Sequence, residues 1–286
     1  MLSILIPVYE QDCRLLVEAL DRQAEAADVE VEIIIADDHS PGPAPELALL
    51  DALPRVSYHY LPVNLGRAGC RNWLARQARY PYLLFIDGDM EVVREDFLSR
   101  YIEALAPGRV LCGGHIYAPA PPVQTSLQLH WAYGRQREQR SAPVRQKAAF
   151  DAFVPSNFVL PAALFRQIYF DESLKTYGHE DSLFGYRLKG RGVEVIHLDN
   201  PLLHRGLEPA ERFIAKQREA VKNLRRLERT HRFFGTQLQR TARSLRLLAP
   251  FIRLLPEAFL CARLRRTQNL RWLDLCKLKW YFSTGS

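Results

Sequence analysis

The chain has 286 residues, 48% hydrophobic and 25% charged, with 39 Lys and Arg against 32 Asp and Glu for a formal net charge of +7. That is an ordinary globular composition, long enough for one large domain with an appendage. Five cysteines (Cys13, Cys70, Cys112, Cys261, Cys276), odd in number and never spaced C-x-x-C, argue against a disulfide framework or zinc knuckle and for a reducing compartment.

Residues 2–8 (LSILIPV) are apolar and β-rich, which predicts a buried strand. The start MLSILIPVYE has no basic n-region, and its apolar run is too short for a signal peptide. Leu15, Leu16, Ala19 and Leu20 recur at helical spacing within 12–27. VEVEIIIADD (29–38) predicts a second strand ending on two acids, HSPGPAP (39–45) a loop, and SYHYLPV (57–63) a third strand. GRAGCRNWLARQA (66–78) predicts a helix, and YLLFIDGDM (82–90) a strand that runs into Asp87 and Asp89. This alternation predicts an α/β fold, a mostly parallel sheet with flanking helices. Ligands bind such sheets at the carboxyl ends of strands, where Tyr9, Asp37, Asp38, Asp87 and Asp89 fall.

Residues 119–150 are polar and arginine-rich, and read as an inserted helix or mobile loop. Apolar character returns at 150–165. YGHEDSLFGYRLKGRG (177–192) starts acidic and continues as a helix ended by Gly, VEVIHLD (193–199) is another strand, and PLLHRG follows. From about Glu208 the pattern is helical and basic, and no uncharged run is long enough for a spanning helix.

Two aspartates one residue apart repel each other unless something compensates, and a divalent cation is the simplest compensator. Carboxylates suit Mg²⁺ or Mn²⁺, which bridge protein oxygens to substrate phosphates. The plainer alternative is a turn, since D-G is a common turn dipeptide. Glu180 and Asp181 precede an amphipathic helix, where helix capping would account for one acid. It leaves unexplained the Gly178–His179 before them and His204 in a second polar loop.

Five ordered motifs, SILIPVYE, IIIADDHS, NLGRAGCRN, FIDGDM and GHEDSLFGYRLKGRG, resemble the inverting glycosyltransferases of family 2, over roughly residues 1–206. The last is similar to the G-x-E-D segment of the galactosyltransferase and chondroitin-polymerase branches. The resemblance implies a GT-A fold over 1–206, divided into a nucleotide-sugar half (1–118) and an acceptor and catalytic half (119–206). It implies a nucleotide-sugar donor, with a UDP-sugar expected, and Mn²⁺ or Mg²⁺ as cofactor. Asp89 would coordinate the metal, Asp87 would lie near the ribose and the metal's waters, and His204 would complete the metal site. The metal stabilises charge on the leaving diphosphate. Asp38, with Asp37 beside it, would read the base, since a carboxylate accepts the uracil N3–H that cytosine lacks. Asx-turn chemistry is the alternative for these two acids. Tyr9 could stack on the base, Pro7 shape the strand end, Asn64 and Gly66 shape the loop, and Arg71 approach the phosphates. Asp181 matches the general base, and Glu180 a contact to donor sugar or acceptor hydroxyls. Trp131 and Asn157 are weaker acceptor-site candidates, and His197 reads as a strand residue. DGDM departs from the family's more frequent D-A/S-D-D in lacking a third acid.

Two rivals remain: a nucleotidyltransferase on a similar fold, which usually carries a phosphate loop after the first strand, and a non-catalytic nucleotide-sugar binder. The implied acceptor is a hydroxyl of a glycan or of a lipid-linked acceptor in bacterial surface polysaccharide biosynthesis.

Residues from Leu207 onward carry 18 Lys/Arg against 6 Asp/Glu, while the rest carries 21 against 26. The tail (207–286) mixes Leu, Phe, Trp272, Trp280 and Tyr281 with arginines, the pattern of helices lying on an anionic membrane surface. That predicts a cytoplasmic protein, peripheral at the inner membrane face. The alternative is packing on the body or on a second subunit as a homodimer. No nucleic-acid recognition motif is present.

Overall fold

A computed structural model describes residues 1–27, 29–42, 45–174, 177–230 and 235–284. Of the loop expected at 39–45, residues 43–44 lie outside this set. The chain forms two compact units: Met1–Ala118 with Glu138–Lys175 and Glu180–Gly206, and Pro119–Arg137 with Thr176–His179 and Leu207–Ser286.

The first unit is an α/β layer structure. Its strands are β1 (Leu2–Val8), β2 (Val31–Asp37), β3 (Val56–Tyr60), β4 (Tyr82–Ile86), β5 (Met90–Glu91), β6 (Arg109–Cys112), β7 (His115–Ile116), β8 (Asn157–Pro161), β9 (Glu194–His197) and β10 (Leu202–His204). A seven-stranded sheet runs β3-β2-β1-β4-β8-β6-β9, and a three-stranded one runs β5-β10-β7. β1 to β4 pair in parallel, whereas β8 is antiparallel to both β4 and β6.

The strands are almost continuously apolar because both faces are covered. Leu2, Ile4, Ile6 and Val8 point to one face with Leu16, Val17 and Leu20 of helix α1 (Arg14–Glu25) and Phe97 and Leu98 of the helix Phe97–Ala104. Leu5, Ile34 and Phe85 point to the other, with Ala68, Cys70 and Leu74 of helix α2 (Gly66–Gln77). That second face carries a phenylalanine cluster. Phe85 stacks on Phe158 at 4.9 Å, and Phe170 on Phe184 at 4.4 Å. Phe184 belongs to helix α3 (Glu180–Gly190), so the cluster ties that helix to the sheet.

In the second unit, helix α4 (Ala210–Thr230) buries Ala210, Phe213, Gln217, Val221, Leu224 and Leu227, spaced by three or four residues, with Ile214 and Asn223 alongside. The first unit ends at Gly206, and the second resumes at Leu207. Residues 119–137, expected with the catalytic half, group with the tail instead. The reason is aromatic packing: His130 stacks on Phe213 at 4.8 Å, Tyr133 lies 5.2 Å from the same ring, and the Glu208 amide donates to His130 Nδ1. Among the described residues no helix is long and apolar enough to cross a membrane.

Arg145 fastens the chain that returns to the sheet. It is buried and donates to the carbonyls of Cys112, Gly113, Leu198 and Arg140. It also donates to His197 Nδ1 at 2.8 Å. A guanidinium only donates, so Nδ1 accepts and Nε2–H is left to donate to the Ala149 carbonyl at 2.9 Å. Burial, aided by Arg145, holds His197 below the usual imidazole pKa, so it is a neutral strand residue, as its place in VEVIHLD suggests. Replacing Arg145 by Met keeps the stem but strands the buried carbonyls of Cys112 and Gly113 and frees those of Leu198 and Arg140. Urea denaturation of Arg145→Met is expected to show a loss of about 3 kcal/mol, and an unchanged midpoint would contradict this role.

Candidate active site

Parallel pairing brings the strand ends level. Val8 is opposite Asp37, and Asp37 is opposite Tyr60. Leu5 pairs with Phe85, so the following acids lie beside the end of β1. Gly88 separates them because a Cβ there would lie 3.0 Å from Val8 Cγ2 and 3.2 Å from the Pro7 carbonyl. Pro7 thus lines the close approach, and Tyr9 is exposed just beyond it. Glu10 and His39, directly after β1 and β2, hold positive φ (53° and 63°), and such strain clusters at functional edges. A cleft of about 260 Å³ opens there, lined in part by Glu10, Gln11, Asp37 and Ser40. A larger one of about 790 Å³ lies between α1 and residues 92–99, away from the strand-end acids.

The two aspartates of DGD do different work. Asp87 Oδ1 accepts from Arg71 Nη2 at 2.5 Å. Arg71, on α2, is 1% exposed and lies over the Phe170 ring at 5.4 Å. Its Nε and Nη1 have no partner among the described residues. Arg71, expected near the phosphates, and Asp87, expected near the ribose and the metal's waters, are bound to each other, with Arg71 buried behind the acid it orients.

Asp89 faces the other way. The Arg205 amide donates to its carbonyl, β10 pairs antiparallel with β5, and His204 Nε2 lies 3.6 Å from Asp89 Oδ2. Gly206 allows this approach, since a Cβ would run into the Asp89 carboxylate. Asp89 Oδ1 is buried with no hydrogen-bond partner among the described residues. Glu91, the nearest substitute for the missing third acid, is bonded to Arg205 at 2.5 Å. No three His, Cys, Asp or Glu side chains among the described residues form a metal-holding group. What the residues fit is an ion held by the Asp89 carboxylate, with the His204 imidazole beside it and most of its shell from phosphates and water, as carboxylate-bound Mg²⁺ is held.

Three residues around His204 escaped the sequence reading. The Tyr117 ring is 5.1 Å from it and the His115 ring 5.9 Å. The Tyr117 hydroxyl bonds Glu138, whose Oε2 is 3.7 Å from His115 Nε2. The available signal was the two-residue spacing of His115 and Tyr117, which puts both on one face of a strand.

Asp181 heads α3. The Ser182 amide donates to its Oδ1 at 2.6 Å and the Ser182 hydroxyl at 3.2 Å, leaving Oδ2 for another partner. Burial and the adjacent Glu180 push its carboxyl up to about 6, against the opposing pull of Arg71. Glu180 is buried, with Arg67 Nη1 3.9 Å from its Oε1.

The acids at the end of β2 turn into the fold. Asp37 accepts from the Ser40 amide at 2.8 Å and the Tyr58 hydroxyl at 3.1 Å. Asp38 Oδ1 accepts from the Leu65 amide at 2.6 Å, while Asn64 donates to the Asp38 carbonyl and accepts from the Gly66 amide. Burial raises the Asp38 carboxyl against the amides of Leu65 and Gly66. Of the two carboxylates expected on the base, Asp38 thus builds the loop that starts α2, while Asp37 ties Ser40 to β3. Asn157, a weaker acceptor-site candidate in the sequence, is fully buried and bonds Tyr101 and the carbonyls of Gly114 and Asn200. Trp131 belongs to the second unit.

Residues 3–172 match the family described as glycosyl transferase family 2. The chain belongs to that family. Similar solved structures include TarS of S. aureus, at 18% identity and a TM-score of 0.55, with 99% of this chain aligned to 54% of that one. TarS 1-349 in complex with UDP-GlcNAc aligns at 19% identity and 0.54, over 99% of this chain and 90% of that one. The mannosyltransferase PcManGT from Pyrobaculum calidifontis, in complex with GDP-Man and Mn²⁺, aligns at 14% and 0.61, over 99% and 85%. This family 2 chain spans about half the length of full TarS. At such identities the likeness shows the fold alone, the GT-A fold. Comparison with curated protein sequences gives no match.

A carboxyl whose pKa folding raises costs stability wherever it is ionised. For Asp181 that cost is full above about 6 and vanishes below the ordinary value of 3.8. Asp181→Asn is therefore expected to raise the unfolding midpoint by a few degrees at pH 8, with the gain fading as pH falls. A midpoint that is lowered at pH 8 would contradict the burial of this charge.

Proposed function

We propose that this family 2 chain transfers a sugar from a nucleoside-diphosphate donor to a hydroxyl of a glycan or lipid-linked glycan, with inversion at the anomeric carbon. The reading is supported above all by two acids near the ends of the strands and at the head of α3. Asp89 beside His204 forms an electron-rich site, and Asp181 has a raised proton affinity. Its likeness in GHED to the galactosyltransferase and chondroitin-polymerase branches is part of the same reading.

Asp181 Oδ2 takes the acceptor's hydroxyl proton as that oxygen bonds to the anomeric carbon and the carbon–phosphate oxygen bond breaks on the opposite face. A carboxylate held at about 6 is a stronger base than a free one and still ionised at neutral pH. Ser182 holds the unused oxygen and so orients the attack. Glu180, next to the base, contacts the donor sugar or acceptor hydroxyls. Mn²⁺ or Mg²⁺ held by Asp89 and His204 would supply charge neutralisation for the departing diphosphate. Arg71 acts through Asp87, which it holds in place beside that site. Tyr9, exposed at the end of β1, stacks on the donor base. With Asp38 engaged by Leu65, uracil selection by its carboxylate loses support, so the donor is assigned by class only: UDP- or GDP-sugar.

Calorimetry with UDP and with GDP, each with and without Mn²⁺, tests this. Metal is expected to tighten nucleotide binding in the wild type and not in Asp89→Asn. Asp181→Asn is expected to bind nucleotide normally while turnover of UDP-GlcNAc or GDP-Man falls at least about a hundredfold. Equal metal-assisted binding in Asp89→Asn, or near-normal turnover in Asp181→Asn, would remove the corresponding assignment.

A further inference from the structure

The aromatic C-terminal helix is not the exposed face that the sequence suggests. In Leu270–Ser283, Trp280 and Tyr281 are buried, and the Tyr281 hydroxyl bonds Glu228 at 2.8 Å while Arg225 lies 4.6 Å above its ring. Trp272 is half-buried, 6.1 Å from the Phe259 ring and 5.6 Å from the Arg263 guanidinium. Trp280 and Tyr281 thus belong to the second unit's interior.

The apolar side chains left in water come earlier. Leu247 is 82% exposed, Phe251 69% and Leu254 81%, with Leu248 and Phe259 beside them in sequence and also exposed. Positions 247, 251 and 254 are four and three apart, one face of the turn Arg246–Leu248 and the helix Ala249–Leu254. Ile252 of the same helix is buried, so the helix is seated and its outer face is a fixed surface. Around it, residues 240–266 carry seven arginines (240, 243, 246, 253, 263, 265, 266) and one acid, Glu257. Pro250 and Pro256 keep these helices short.

We infer that this face docks on an anionic phospholipid bilayer, with Leu247, Phe251 and Leu254 entering the headgroup–acyl boundary and the arginines lying at phosphate level. A bilayer is the partner that offers negative charge and an apolar interior together. A nucleic acid would match the arginines and leave the Leu and Phe side chains wet. A second copy meeting through the same face would oppose two arginine-rich surfaces. The inference stands apart from the transferase reading, because none of these residues belongs to the catalytic unit.

The test is co-sedimentation of the full chain with phosphatidylcholine vesicles, with and without phosphatidylglycerol. The wild type is expected to pellet with the anionic vesicles at low salt and to be released as salt rises. The double variant Phe251→Ser/Leu254→Ser, altered only at exposed positions, is expected to partition at least about tenfold less while keeping its unfolding midpoint and nucleotide binding. Arg243→Gln/Arg246→Gln is expected to flatten the salt dependence. The inference is overturned if the wild type stays in the supernatant at low salt, or if Phe251→Ser/Leu254→Ser pellets like the wild type. Light scattering that shows a dimer abolished by Phe251→Ser/Leu254→Ser, without vesicle binding, assigns the face to a second copy and overturns it equally.

Discussion

A guanidinium shut away from water has to be neutralised where it lies, and the candidate site is organised around one. Arg71 holds Asp87 at 2.5 Å and rests on Phe170. Once Asp87 is committed to that pair, the chain turns through Gly88, where a Cβ would crowd Val8 and the Pro7 carbonyl, and Asp89 is delivered to His204. The same positive charge draws the Asp181 carboxyl down, yet burial and Glu180 outweigh it. The result is a division of labour among three aspartates: Asp87 anchored, Asp89 short of hydrogen-bond donors, Asp181 eager for a proton.

Packing holds these positions. The strand that ends in Asp87 contributes Phe85, the helix that begins at Glu180 contributes Phe184, and both lean on Phe158 of the antiparallel strand between them. Large aromatic side chains dominate core energetics, so this cluster gives the two acids a rigid common base. Polar atoms then do the fine positioning: Ser182 on Asp181, and the amides of Ser40 and Leu65 on Asp37 and Asp38.

The long strands were legible because two-sided burial writes itself as an apolar run, as in LSILIPV, EIIIAD and YLLFI. So was the line-up of acids at their carboxyl ends, since parallel strands must finish on one edge. The two-residue strands β5 and β7 were not legible, because so short a segment has no period to detect. Which acids face the site was equally hidden. Asp37 and Asp38 occupy the expected place, but their oxygens are claimed by amides and a tyrosine that are distant in sequence. In the tail, composition reported arginines and aromatics correctly but not which of them point inward; Trp280 and Leu254 are indistinguishable until the helices pack.

A single displacement with Asp181 as its base leaves its mark on the stereochemistry of the product. With an α-linked donor such as UDP-GlcNAc or GDP-Man and water as acceptor, proton NMR can record which anomer of the free sugar appears first, before mutarotation. The account predicts the β anomer, the product of one inversion. Early accumulation of the α anomer would mean retention, and would contradict a mechanism in which Asp181 does no more than take a proton from the attacking oxygen.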